Sequence, residues 1–282
     1  MHDKFSSDTL IRAVFLGEKK MKIVSWNVAS VRARMDTLNR FIQEKKPDIF
    51  LLQEIKATDE TFPFFDLQIQ GYQSVICGQK SYNGVAILSK LPIKEVRTTL
   101  PDFEESNQQA RFIEAVLSDD THIICVYVPN GNPPANNPSD MSRLEYKLKW
   151  MDALNTYIQS LLQNKKSIIL GGDFNVIVKD SDVYNPDLYR NNALMVPTVR
   201  EKFNQLSALP LTNIIRHFHP EEHYYSFWDF MGGAYPRNLG MLLDYFFVSY
   251  DIAKNLTNGG VYKEVRGWEK TSDHAPIWFE FD

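Results

Sequence analysis

The sequence predicts an α/β protein of the α+β kind, with two mostly antiparallel sheets packed face to face and helices outside. Three observations predict it. Short apolar runs rich in β-branched and aromatic residues recur along most of the chain, the mark of strands covered on both faces. Many follow one another with only Gly, Pro or Asn between them, which reads as hairpins and not as a simple βαβ repeat. Stretches of helical periodicity are interspersed among them.

In chain order, residues 22–27 read as a strand, and residues 35–45 carry apolar side chains at helical spacing before Pro47 stops them. Residues 49–52 are a buried strand that delivers Gln53 and Glu54 at its end. Further strands are expected at 72–77, 84–88, 112–117 and 123–128. Residues 144–162 form the longest helical stretch, leading to a strand at 167–170 that runs into Gly171-Gly172-Asp173-Phe174-Asn175. A helix at 199–209 and strands at 243–249 and 277–281 close the chain. No linker, low-complexity segment or repeat divides residues 21–282, which read as one domain. Residues 1–20, with an apolar patch between Leu10 and Leu16 broken by Arg12, read as a poorly ordered N-terminal extension.

A chain of 282 residues that is 44% hydrophobic can bury a large core. Its 31 Lys+Arg against 35 Asp+Glu, a formal charge of −4, exclude a protein that coats nucleic acid by overall charge; any basic contact must be local. The acids suit a divalent cation held by oxygen ligands. Cys77 and Cys125 lie in apolar strand runs, as small buried hydrophobes in a reducing compartment, and no apolar run approaches the roughly 18 residues of a membrane span. A soluble, cytoplasmic protein without membrane partners is expected.

Five places put polar groups directly at strand ends: Asn27, Gln53-Glu54, Tyr127, Asp173 with Asn175, and Asp273-His274. Singly each has a bland explanation, as a turn residue, a solvated strand end or a satisfied surface histidine. Together they describe a rim of functional groups on a rigid platform.

These residues lie in segments that together resemble a known family. The segments are Val24-Ser25-Trp26-Asn27-Val28, Leu51-Leu52-Gln53-Glu54-Ile55-Lys56, Tyr82-Asn83-Gly84-Val85, Tyr127-Val128-Pro129-Asn130-Gly131, Gly172-Asp173-Phe174-Asn175 and Ser272-Asp273-His274-Ala275-Pro276. In their order they resemble the endonuclease/exonuclease/phosphatase superfamily over residues 21–282. Val31-Arg32-Ala33-Arg34, Asn191-Asn192-Ala193 and Tyr225-Ser226-Phe227-Trp228-Asp229-Phe230 are similar to its exonuclease III and apurinic/apyrimidinic endonuclease branch.

The resemblance implies a four-layer sandwich and Mg²⁺-dependent hydrolysis of DNA, 5′ to abasic sites and at 3′ ends, by a monomer, with Mn²⁺ as an alternative ion. It implies that Asn27, Glu54 and Asp273 hold the metal, with Asp173, Asn175 and His274 as further positions. Asp173 is implied to activate water, Asn175 and His274 to stabilise phosphoryl charge, Asp244 to hold His274, and Tyr127 to donate to the phosphate or leaving group. Lys56, Arg111 and Asn130 are implied backbone contacts, and Trp228, with Phe227 before it, is either a wall for a sugar lacking its base or a core residue. Two departures stand out: Ala29-Ser30 where relatives carry Asn or Asp then Gly, and Met241-Leu242-Leu243 where an Arg and often a Trp stand. Other members of the superfamily, including secreted nucleases and lipid phosphatases, are disfavoured by the absence of a leader-like segment and of a membrane-facing loop. A phosphatase or nuclease of the same fold on another phosphoester remains the alternative.

Overall fold

The computed structural model of the chain describes residues 20–103, 109–220 and 223–282; the expected extension therefore lies outside the described residues except for Lys20. The strands are β1 Met21–Asn27, β2 Ile49–Gln53, β3 Gln73–Cys77, β4 Val85–Ser89, β5 Ile93–Arg97, β6 Phe112–Leu117, β7 Thr121–Tyr127, β8 Ser167–Asp173, β9 Leu211–Asn213, β10 Asp244–Ser249, β11 Leu256–Val261 and β12 Ile277–Phe281. They form two six-stranded sheets, ordered β11-β12-β1-β2-β4-β3 and β5-β6-β7-β8-β10-β9. The order is the same in both, position by position, although no repeat is visible in the sequence. In each sheet the central pair is parallel, β1 with β2 and β7 with β8, and all other pairings are antiparallel.

A parallel pair needs a crossover. Helix α1, Met35–Lys45, provides it between β1 and β2, ending in a left-handed Lys46 before Pro47. Helix α2, Phe64–Ile69, is short. Helix α3, Ser142–Gln163, is the crossover between β7 and β8. Helix α4, Pro197–Ser207, packs beside it, and α5, Ile214–Phe218, and α6, Tyr250–Ala253, are single turns.

Strand alternation sorts the core into layers. Ile23, Ile49, Leu51, Ile87, Ile123, Cys125, Ile169, Phe246 and Ile277 fill the space between the sheets. Val24, Trp26, Phe50 and Leu52 point the other way, under Leu38, Phe41 and Ile42 of α1. Ile124, Leu170, Tyr245 and Phe247 point out from the second sheet beneath Trp150, Leu154 and Ile158 of α3 and Phe203 of α4. The four-layer expectation holds, and α1 and β12 have the bounds the periodicity predicts.

The elements that escape periodicity are β5, β9, β11 and the short helices. Strand β5 is an exposed edge carrying Lys94, Glu95 and Arg97, so neither face has an apolar stripe to read. Strand β9 has three residues. Strand β11 contains Gly259, where a Cβ would stand 2.8 Å from Ile214 and 3.0 Å from Phe218; the close approach of α5, and not propensity, dictates that residue.

Candidate active site

The same alternation that builds the inner core delivers the polar rim. Asn27 continues the inward series of Ile23 and Ser25, Gln53 that of Ile49 and Leu51, and Tyr127 that of Ile123 and Cys125. Asp173 continues Ile169 and Gly171, and Asp244 stands two before Phe246. Register aligns them: Asn27 is level with Gln53, and Asp173 with both Tyr127 and Asp244. The polar ends of both sheets therefore meet in one slot at one end of the sandwich. Gly172 makes this register possible. Its φ is +151°, and a Cβ there would stand 1.9 Å from the Val126 carbonyl oxygen.

On the buried side, His274 stands between two acids. Its Nδ1 is 2.8 Å from Asp244 Oδ2 and its Nε2 is 3.7 Å from Asp173 Oδ2. Ser226 Oγ donates to the same Asp244 oxygen at 2.6 Å, and Ser272 Oγ bonds the His274 N–H at 3.2 Å and the Asn27 carbonyl at 2.6 Å. Asp173 Oδ1 accepts the Asn175 N–H at 2.9 Å, and Asn175 Nδ2 donates to the Val128 carbonyl at 2.9 Å. Burial raises the Asp173 pKa well above the usual carboxylate range; the His274 charge opposes the shift and Asp244 adds to it. Burial opposes protonation of His274, but Asp244 and Asp173 outweigh it and hold the ring as an imidazolium. An imidazolium has no lone pair to offer, so in this state His274 acts as a hydrogen-bond donor, and as a metal ligand it would first have to lose its proton.

On the more open side, Glu54 Oε1 accepts from Asn27 Nδ2 at 3.0 Å and Tyr127 OH at 2.8 Å, and Oε2 pairs with Lys56 Nζ at 2.9 Å. Burial opposes its ionisation, but the bonds from Asn27 and Lys56, the Lys56 charge and the Tyr127 hydroxyl outweigh it, and the carboxyl is held below its ordinary range. Asn27 Nδ2 also donates to Asp173 Oδ2 at 3.0 Å, so one amide bridges the acids of the two sheets. Burial, then Glu54 and Asp173, push the Tyr127 pKa far up, which keeps its hydroxyl a proton donor.

The donor set fits a divalent cation. Glu54, Asp173, Asp244 and Asp273 bring four acids to one slot, and a divalent cation would neutralise part of that charge. Asp244 Oδ1 is buried without a hydrogen-bond partner. Apart from the His274 ring, the donors are hard oxygens, the ligand type of Mg²⁺ and Ca²⁺. The donor atoms of Asp173, Asp244 and His274 lie within 4.8 Å of one another. His274 Nδ1 is spent on Asp244 in that trio, while Glu54, Asn27 and the half-buried Asp273 offer further oxygens at the strand ends.

These segments match the Endonuclease/Exonuclease/phosphatase family over residues 24–274. The chain belongs to that family. Family nucleases are metal-dependent hydrolases, in keeping with the acids gathered in the slot. The exodeoxyribonuclease of Bacillus subtilis (strain 168) is 34% identical over 263 residues, 91% of this chain and 98% of that protein. A 3′ phosphatase from Neisseria, NExo, bound to product DNA hairpin, has a TM-score of 0.87 at 35% identity, covering 93% of this chain and 99% of that one. An AP endonuclease from Archaeoglobus fulgidus has a TM-score of 0.86 at 32% identity, covering 93% and 99%.

Against the family pattern, Ala29 and Ser30 keep a left-handed loop, with φ of 47° and 101°, that suits the Asn-Gly or Asp-Gly of relatives better. The loop still closes on the site: Ala29 N–H bonds Asn27 Oδ1 at 3.1 Å and Ser30 N–H bonds the Glu54 carbonyl at 2.7 Å. Leu242 is buried under α3, while Met241 and Leu243 pack near Phe227.

Of the expected DNA contacts, Arg111 lies 4.7 Å over the Tyr127 ring and donates to the Tyr127 carbonyl at 3.3 Å. Lys56 is engaged by Glu54, and Asn130 is exposed at the rim with its Nδ2 3.4 Å from Asn175 Oδ1. Trp228 is a correction: it is 0% exposed, donating to Asn238 Oδ1 at 3.3 Å and packed on Tyr225 and Tyr235. Neighbours on an extended segment face opposite ways, and the ring that reaches the slot is Phe227, with its centroid 5.0 Å from that of His274. Sequence reasoning assigned no role to Ser226, Ser272 or Lys147. The two serines sit inside recognised segments, but nothing local marks Lys147 as buried.

Proposed function

We propose that the chain is a DNA-repair phosphodiesterase of the exonuclease III type, hydrolysing the backbone 5′ to abasic sites and trimming 3′ ends, with Mg²⁺ as its ion and Mn²⁺ as an alternative. The observation that carries the reading is one slot holding two differently poised carboxylates, Glu54 kept anionic and Asp173 driven towards its protonated form, with His274 tied to Asp244 beside them. Hydrolysis of a phosphodiester needs an aligned water, a proton acceptor, charge neutralisation on the phosphoryl oxygens and help for the leaving alkoxide. Asp173 takes the proton of the water; its raised proton affinity makes it a stronger base than a solvated carboxylate. Asn175, anchored through its N–H to Asp173, turns its amide to the developing oxyanion. His274 donates Nε2–H to a phosphoryl oxygen, its orientation and charge fixed by Asp244. Tyr127 holds Glu54 and faces the leaving oxygen.

Glu54, Asn27 and Asp273 would hold the ion, with Asp173 and Asn175 offering a second position. When bound, it supplies positive charge to the phosphate. Arg111, Asn130 and Lys56 contact the DNA backbone, and Phe227, Met241 and Leu243 give the slot an apolar wall. The names of the relatives, an exodeoxyribonuclease, a 3′ phosphatase and an AP endonuclease, support the substrate class. The reading takes the protein as a cytoplasmic monomer, in keeping with the free Cys77 and Cys125.

The test is single-turnover assay on duplexes carrying one abasic site, a blunt end or a 3′-phosphate, with Mg²⁺ and with Mn²⁺, beside a phosphoinositide control. Metal-dependent cleavage of the DNA substrates is expected. Turnover of the phosphoinositide with none on DNA would overturn the reading.

A further inference from the structure

Beneath the slot, α3 buries a lysine that no step above uses. Lys147 is 0% exposed, and its ammonium donates to three backbone carbonyls: Asn130 at 3.1 Å, Asn175 at 2.6 Å and Ala193 at 3.0 Å. An ammonium has three donors, so all are spent. Burial presses its pKa down to about 7, against a rise from Asp173, which marks the cost of keeping the group there.

The three carbonyls come from three stretches of loop: one after β7, and the two ends of the segment that joins β8 to α4. Each stretch carries an asparagine, and the amides form a row. Asn130 Nδ2 stands 3.4 Å from Asn175 Oδ1, and Asn132 Nδ2 donates to Asn130 Oδ1 at 2.6 Å and to Asn192 Oδ1 at 3.0 Å. Gly131, at φ +84°, lets the first loop lie on the lysine stem, since a Cβ there would stand 2.7 Å from Lys147 Cδ. Three converging carbonyls leave a point of negative potential that only a multi-donor cation satisfies, and charge-assisted bonds are roughly twice as strong as neutral ones.

We propose that Lys147 is a positioning residue for the hydrolysis: by clamping three stretches of loop from below it holds the Asn175 amide, with Asn130 beside it, against the phosphoryl group. The inference rests on the role given to Asn175 under the proposed function. Lys147 touches no substrate and acts through these amides.

Lys147→Met keeps the stem and removes the donors. On the DNA substrate that the wild type cleaves, kcat should fall about 10–100-fold, the scale of a supporting partner or of about 1 Å of misplacement, with KM within about threefold. Because the clamp acts through Asn175, Lys147→Met combined with Asn175→Ala should be little slower than Asn175→Ala alone. Multiplicative losses, an unchanged kcat or a loss confined to KM overturns the clamp. An inactive wild type or a fully active Asn175→Ala overturns the reading of the site itself, and these controls separate the two failures. Should Lys147→Met leave too little folded protein by thermal melting, Asn132→Ala tests the same idea from the surface. With the loops held from below, its kcat should stay within about threefold of wild type. A loss as large as that of Asn175→Ala shows that the surface amides hold the loops and overturns the proposal.

Discussion

Glu54 follows a strand of the first sheet, at φ 50°, and Asp173 ends a strand of the second; both face one slot through the two amide hydrogens of Asn27. One stands in a left-handed turn and the other at an extended strand end, and their chemistry is opposite. Glu54 is near enough to solvent, and bonded by Asn27, Lys56 and Tyr127, that its charge is secured. Asp173 lies deeper, beside Asp244 and an imidazolium, where burial outweighs its partners and raises its pKa. A group that stays anionic suits a cation, and one whose proton affinity is raised suits a base. Solvation at these two positions thus divides the labour between two carboxylates.

The sharpest way to break the comparison is to neutralise each acid in turn. Asp173→Asn should slow single-turnover cleavage about 10²–10⁴-fold while leaving the metal dependence near that of wild type. Glu54→Gln should instead move the Mg²⁺ titration to at least about tenfold higher concentration. Normal cleavage by Glu54→Gln across the wild-type Mg²⁺ range would falsify the division.

The buried side is sharpened by its own pair. His274→Ala should cost about 10²–10³-fold in rate, and Asp244→Ala with His274→Ala should be little worse, because the two work as a unit. Losses that multiply would show that Asp244 does not act through the ring.

A smaller effect appears in stability. An acid whose folded pKa is raised binds its proton more tightly in the folded state, so stability falls as pH rises from the unfolded value through the folded one. At pH 8 in EDTA the Asp173 carboxylate therefore opposes folding, and Asp173→Asn should melt a few degrees higher than wild type while being far less active. A lower melting temperature at pH 8, or an increase no smaller at pH 4, would contradict the account of its burial.

The smallest effect concerns the loop behind Glu54. Ser30 holds φ of 101°, a conformation that costs a residue with a Cβ about 1–3 kcal/mol, against about 0.5–1 kcal/mol of chain entropy for glycine. Ser30→Gly should then gain about 1 kcal/mol, a rise of roughly 2–4 °C in thermal unfolding. No gain would mean that the loop is relaxed as it stands.

Much of the fold and of the rim is legible because each rests on local rules. Covered strands read as continuous apolar runs, so β1, β2, β7, β8, β10 and β12 announce themselves, and α1 shows its amphipathic spacing up to Pro47. Polar residues at or next to the ends of those runs, at Asn27, Glu54, Tyr127, Asp173 and His274, mark the rim for the same reason. What the sequence does not disclose depends on partners far along the chain. Asn27 meets Asp173 across 146 positions, and Trp26 bonds the His274 carbonyl across 248. Such contacts decide that Asp173 is desolvated and Glu54 is not, that Phe227 and not Trp228 reaches the slot, and that Lys147 lies under three stretches of loop instead of in water. The sequence by itself determined which segments become strands and which side chains stand at their ends, since alternation and apolar burial are written residue by residue. Only the tertiary structure decided the electrostatics of those ends, because desolvation belongs to the closed space between two sheets and to no single segment.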